Sequence, residues 1–61
     1  MKQADMLKFL GRIANGENQT EKLPVSSVRA AHRAGFVLSR LEFSTGILIL
    51  TDKAKEVLAN G

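Results

Sequence analysis

The chain has 61 residues, of which 44% are hydrophobic, and it carries a formal net charge of +3 with no cysteine. A chain this short forms a single domain, residues 1–61, and buries only about 60% of the surface that its unfolded form exposes. The lack of cysteine excludes disulfides and thiolate metal sites. The hydrophobic share excludes the composition that is typical of disordered proteins.

The sequence also lacks the patterns of a membrane or secreted protein. No apolar run approaches the roughly 20 residues that a membrane-spanning helix needs. The first stretch, MKQADMLKFLGRI, is interrupted by Asp5, Lys8 and Arg12, which is not the pattern of a signal peptide. We therefore expect a cytoplasmic protein with no membrane partner, and the short reading frame favours a bacterial or phage origin.

Residues 3–14, QADMLKFLGRIA, have apolar side chains at helical spacing and predict a first helix. Its predicted inward-facing residues are Met6, Leu7, Phe9, Leu10, Ile13 and Ala14. Asn15 and Gly16 are expected to end the helix, because both tolerate the left-handed conformation of a helix C-terminus. If this stripe is wider than the rest of the domain can cover, the helix also supplies a contact for a homodimer.

Residues 17–24, ENQTEKLP, are polar until Leu23 and predict a loop with at most one short turn, near Thr20. Pro24 disfavours a helical conformation at Leu23 but is compatible with the first turn of a helix. Pro24 is therefore expected in or before the first turn of a second helix.

Ser26 or Ser27 is predicted to cap this second helix, which runs to about Ala34 and ends at Gly35. Val28 and Ala31 are predicted to face inward, with Val25 at the entry of the helix.

Residues 36–43, FVLSRLEF, alternate in the manner of a strand. Val37, Leu41 and Phe43 are predicted on its inward face, and Leu38, Arg40 and Glu42 on its outward face. Residues 44–46 are expected to turn the chain, with Gly46 at positive φ. The second strand, ILIL at residues 47–50, is continuously apolar, which predicts cover on both of its faces.

Thr51 or Asp52 is predicted to cap a last helix that ends at residues 60–61, with Ala54, Val57 and Leu58 facing inward. The predicted order is helix, loop, helix, β-hairpin, helix, which is a small α+β domain. A two-stranded ribbon is only marginally stable alone, so its apolar face must pack against the helices.

The basic residues are concentrated in the second helix and the first strand. Between Glu21 and Glu42 the chain has four cations and no acid, whereas the remainder has five cations and six acids. On the second helix Arg29 and Arg33 lie four residues apart and share a face. Ser26 lies three residues before Arg29 on the same edge, with His32 beside them.

Donors of this kind are what a helix needs to contact guanine edges or phosphates in a major groove. Arg40, on the outward face of the first strand, is a further candidate for contact with phosphate. The alternative for the helix is an ordinary solvated cationic face, and the alternative for Arg40 is an ion pair with Glu42.

The segment SSVRAAHRAGFVLSRLEFSTGILILTDKAKEVL resembles winged helix-turn-helix domains, especially bacterial regulators of the multiple-antibiotic-resistance type and small phage DNA-binding proteins. A serine-capped helix ends in RAGFV, a hairpin with a small-residue tip follows, and the second strand runs into LTDKAKEVL. The resemblance covers about residues 24–60 and implies that the second helix is a recognition helix. A full winged helix has a scaffold helix before it, and ENQTEKLP is too short for one. The resemblance therefore implies a reduced winged helix.

Together these observations predict a small DNA-binding protein, either a transcriptional regulator or an accessory factor, whose partner is double-stranded DNA. The predicted contacts are Ser26, Arg29, His32, Arg33 and Arg40. The alternative is a protein-interaction module, such as a phage-encoded inhibitor of a host protein, and a third possibility is a purely structural subunit.

We do not expect an enzyme, a metal site or a cofactor. Glycine-rich phosphate loops, paired catalytic carboxylates and metal-ligand spacings are absent from the sequence. Ser26 or Ser27 with His32 does not form a nucleophilic triad, because no orienting acid is nearby.

Overall fold

A computed structural model describes residues 2–60 and consists of three α-helices and one antiparallel β-hairpin around a shared core. The elements are α1 (Gln3–Ala14), α2 (Val25–Arg33), β1 (Val37–Glu42), β2 (Thr45–Leu50) and α3 (Asp52–Asn60). This order confirms the predicted α+β domain. Gly61, which was expected to end α3, lies outside the described residues. Within the described part of the chain, no helix has the length and apolar character needed to cross a membrane.

Helix α1 supplies the largest share of the core. Met6, Phe9, Leu10 and Ile13 are buried, and Leu10 has no exposed surface. The helix contacts α2, β2 and α3, so the domain itself covers most of its apolar stripe. Ala14 is exposed, contrary to prediction, because it lies in the last turn of the helix. Little of the stripe is left for the dimer contact that was predicted on this helix.

Helix α2 begins at Val25, one residue before the predicted serine caps. Pro24 occupies the N-cap position, and its carbonyl accepts the first helical hydrogen bond from the Val28 amide at 3.1 Å. Ser26 and Ser27 therefore lie inside the helix, and neither caps it. The proline ring restricts φ, and Pro24 has the extended conformation of an N-cap residue, with φ −61° and ψ 129°. No serine is therefore needed to start the first turn of α2.

Thr51 joins the end of α2 to the start of α3. Gly35 follows α2 at φ 78° and ends that helix, as predicted. The Thr51 hydroxyl donates a hydrogen bond to the Gly35 carbonyl at 2.7 Å and accepts one from the Ala54 amide at 3.3 Å. The first of the two predicted caps for α3 is thus the one that forms.

Replacing Thr51 with alanine is expected to lower the free energy of unfolding by about 1–2 kcal/mol, because one helix loses its cap and one carbonyl loses its donor. Thr51→Ser keeps the hydroxyl and serves as the matched control, with less than half of that loss. Urea denaturation of the two variants measures the difference. Equal losses in both variants would mean that the methyl group matters and the hydrogen bonds do not.

The turn of the hairpin begins one residue earlier than predicted and ends two residues earlier. Phe43 and Ser44 form the turn, with φ of 51° and 66°, between the paired residues Glu42 and Thr45. Two consecutive residues at positive φ match the type I′ turn, whose twist fits a two-residue hairpin. The turn predicted at residues 44–46 was therefore misplaced. The sequence did not indicate the correct position, because phenylalanine and serine are unusual residues for such a turn.

Gly46 lies inside β2, opposite Leu41, and does not have the positive φ that was predicted for it. Its importance lies in its small size, since a Cβ at this position would be 3.4 Å from the Thr20 hydroxyl oxygen. Thr20 belongs to a single 3-10 turn, Thr20–Lys22, in the loop between α1 and α2. The loop thus packs directly against the hairpin.

The same loop covers the outer edge of β2. The Leu48 amide donates a hydrogen bond to the Asn18 carbonyl at 2.9 Å, and Gln19 forms an isolated β-bridge with Ile47. Leu48 is buried, whereas Ile47 and Ile49 are only half-buried. The prediction of complete cover on both faces of this strand was therefore too strong.

The distal half of β1 extends beyond the core. Val37 is buried at its first position, but Leu41 is 76% exposed and Phe43 is 96% exposed. Both were predicted to face inward, and both predictions were wrong. Leu41 does lie on the same face as Val37, because the two are an even number of residues apart. The helices cover only the first part of that face, near Val37. The alternation of apolar and polar residues therefore could not show that Leu41 is exposed.

Candidate nucleic-acid interface

The exposed face of α2 carries three of the predicted site residues. Successive residues of a helix are rotated by about 100°, so Ser26, Arg29 and Arg33 lie within an arc of about 60°. All three are exposed, while Val28 and Ala31 on the opposite side are buried. The buried pair therefore fixes which face of α2 the cations present.

The surface along this face is a shallow depression of about 490 Å³, open to solvent. Its lining consists of Val25, Ser26, Arg29, Ala30 and Arg33. An open, cationic surface of this shape suits an extended anionic partner better than a small ligand, which is usually enclosed on most of its surface.

The arginines of the site have no acidic neighbour within the described residues. The ion pair found in residues 2–60 joins Arg12 to Glu17 at 3.3 Å, and both of these side chains lie outside the site. Arg29, Arg33 and Arg40 have no carboxylate within 4.0 Å, so the alternative pairing of Arg40 with Glu42 does not form. The positive charge of the candidate site is thus available to an anionic partner.

His32 lies on the edge of α2 that faces the hairpin. Its Nε2 atom is 2.7 Å from the hydroxyl oxygen of Ser39 on β1, a hydrogen-bond distance. This bond ties the helix to the first strand. Ser39 was not singled out from the sequence, and only its position on the same strand face as Val37 indicated that it would point toward α2.

Lys53, on α3, is a second side chain that sequence reasoning missed. Its Nζ atom donates a hydrogen bond to the Ala34 carbonyl at 2.7 Å and lies 5.2 Å from the centre of the Phe36 ring. A cation at the carboxyl end of α2 stabilises that helix. The sequence contained no signal for this contact, because Lys53 is 19 residues away from Ala34.

Arg40 is exposed but does not join the α2 face. It lies opposite Ile47 in the hairpin, one position out of phase with Val37 and Leu48, which face the core. Its side chain is therefore on the side of the ribbon that points away from the helices. The structure thus groups Ser26, Arg29 and Arg33, attaches His32 to the hairpin, and leaves Arg40 on a separate surface.

Two further observations bear on the class of site. The described residues contain no group of three or more histidine, aspartate or glutamate side chains placed to hold a metal ion. No protein-family model, curated protein or solved structure matches the chain. The resemblance to winged helices consequently depends on the quoted residues and the order of the elements.

Proposed function

We propose that this chain is a small double-stranded DNA-binding protein of bacterial or phage origin, acting as a transcriptional regulator or accessory factor and not as an enzyme. The observation that carries the proposal is the exposed, acid-free face of α2 with Ser26, Arg29 and Arg33. A cationic surface without acidic neighbours attracts the phosphate backbone and concentrates the protein on DNA.

The dimensions of the face fit a major groove. An α-helix with its side chains is about 10–12 Å in diameter, and a B-DNA major groove, about 12 Å wide, admits one. Guanidinium groups bond guanine edges through two donors or bond phosphates, and a serine hydroxyl bonds either. Arg29 and Arg33 are therefore assigned to base edges or phosphates, with Ser26 in support.

The proposed architecture is a reduced winged helix with α2 as the recognition helix and the hairpin as the wing. The 3-10 turn at Thr20–Lys22 takes the place of the missing scaffold helix. The β-bridge between Gln19 and Ile47 adds a short third strand-like segment beside β2. His32 holds the wing against α2 through Ser39 and approaches base edges or phosphates beside Arg33, while Arg40 contacts the backbone from the wing.

The test is binding of a mixed-sequence duplex measured at several salt concentrations. If Arg29, Arg33 and Arg40 neutralise phosphates, three or four contacts give a slope of log affinity against log salt near about −3. Arg33→Ala is expected to weaken binding by roughly 1–3 kcal/mol and relax sequence preference if it reads a base. If it holds only a phosphate, the loss is even across sequences. Failure of the wild-type protein to bind any duplex at low salt would refute the proposal.

A second candidate function is a protein-interaction module, which the exposed apolar residues of the hairpin favour. Leu38, Leu41 and Phe43 are 59%, 76% and 96% exposed. Exposed apolar side chains, aromatic ones above all, are typical of surfaces that contact other proteins, and they contribute little to phosphate binding. If the affinity for a partner does not change with salt concentration and depends on these three residues, the second function is favoured over DNA binding.

A further inference from the structure

We infer that the free edge of β1 is a self-association surface, on which a second copy of this chain pairs its own β1 in antiparallel orientation to form a four-stranded sheet. The inference does not depend on DNA binding. It starts from an asymmetry between the two edges of the hairpin. The backbone edge of β2 is occupied by Asn18 and Gln19, whereas within residues 2–60 no element other than β2 makes a backbone hydrogen bond to residues 38–42 of β1.

The hydrogen-bond pattern shows which groups of β1 are unpaired. The two-residue turn makes Glu42 and Thr45 a hydrogen-bonded pair, and bonded pairs then recur at every second residue. Ser39 and Leu41 therefore point their amides and carbonyls away from β2. In agreement with this phase, Leu48, which pairs with Ser39 across the ribbon, sends its own amide outward to Asn18.

Within residues 2–60, no loop or helix makes a backbone hydrogen bond to residues 38–42. An uncovered strand edge is a template for pairing with another strand. Leu41, which lies within this free segment, is 76% exposed, and Phe43, which follows the segment, is 96% exposed. Pairing here satisfies the outward backbone groups of Leu41 and places the Leu41 side chains of the two copies side by side.

The charges of the strand select the occupant and the register. In a symmetric pair centred on Leu41, Arg40 of each copy lies directly opposite Glu42 of the other, so two cross-strand ion pairs form. A pair centred on Arg40 places the two arginines opposite each other, which is destabilising. A pair centred on Ser39 places Arg40 opposite Leu38 and leaves both charges without partners. The strand is thus complementary to itself in one register.

Neither charge has a competing partner inside the hairpin. Arg40 lies opposite Ile47, and Glu42 lies opposite Thr45. Neither the Arg40 guanidinium nor the Glu42 carboxylate has an ion-pair partner within the described residues. The paired segment is short, so we expect a weak dimer that forms at roughly tens of micromolar or above.

Charge exchange tests the register. Sedimentation velocity without DNA is expected to show wild-type dimers, and Arg40→Glu or Glu42→Arg alone is expected to weaken dimerisation by about tenfold or more, because like charges then face each other twice. The double variant Arg40→Glu/Glu42→Arg restores opposite charges and the dimer. An equimolar mixture of the two single variants forms a heterodimer. Arg29→Glu, the same charge change on α2, is the matched control and dimerises like the wild type.

Amide hydrogen exchange provides a second readout on folded protein. The Leu41 amide points outward, so its exchange is expected to slow as the protein concentration rises, whereas the Arg40 amide is protected at every concentration. A monomer throughout the concentration range overturns the inference. A dimer that the single reversals leave intact, or that the double variant fails to restore, overturns it as well. A monomer that uses Leu41 and Phe43 to bind DNA or another protein also refutes it.

Discussion

Replacing Leu10 with alanine is expected to lower the free energy of unfolding by about 3–5 kcal/mol and to leave most of the chain unfolded at physiological temperature. Leu10 has no exposed surface and lies on α1, which contacts both other helices and β2. Truncation of a buried leucine costs the transfer energy of the lost methyl groups together with the cavity they leave. A domain of this size rarely has more than about 3–5 kcal/mol of stability in total.

Leu38→Ala is the matched control, because Leu38 is 59% exposed on β1. Truncation there is expected to cost less than about 1 kcal/mol. Urea denaturation followed by circular dichroism measures both variants at a concentration low enough to exclude self-association. Equal losses for Leu10→Ala and Leu38→Ala would show that α1 does not form the centre of the core.

The double variant Arg29→Ala/Arg33→Ala is expected to bind duplex DNA about 2–4 kcal/mol more weakly than the wild type, a loss of about 30-fold to 700-fold. The slope of log affinity against log salt should fall in magnitude by about two units, since two phosphate-neutralising groups are gone. Both side chains are exposed, so the melting temperature should change little.

A control with the same net charge separates a local contact from general attraction. Lys2→Ala/Lys55→Ala also removes two exposed cations, from residues outside α2 and the hairpin. It is expected to reduce affinity only slightly and to keep the salt slope near the wild-type value. If the two double variants lose the same affinity, the face of α2 has no special role and the DNA proposal fails.

Local patterns predicted most of the elements. Apart from Ala14, the stripe of α1 and its stop at Asn15 and Gly16 were predicted correctly, because a helical period with a glycine end depends only on neighbouring residues. The same holds for the end of α2 at Gly35 and for Thr51 as the cap of α3. The start of α2 was misplaced by two or three residues, because Pro24 and not Ser26 or Ser27 occupies the N-cap position.

The candidate site was only partly predictable. The helical period was enough to place Ser26, Arg29 and Arg33 together, since their spacing fixes their directions on a single helix. It did not reveal that His32 bonds Ser39, or that Lys53 binds the carbonyl end of α2. Those contacts join residues on different elements, and their distances depend on how the elements pack.

Periodicity and local turn chemistry were enough to predict the α+β order of the elements, the charge of α2 and its buried side. Which edge of the hairpin is covered and which is free depends on how the elements pack. The loop at Asn18 and Gln19 is nearly 30 residues from Ile47 and Leu48 in the chain, yet it occupies the edge of β2. Packing of α1 brings that loop there, and β1, with no such neighbour, keeps Leu41 and its backbone open to solvent.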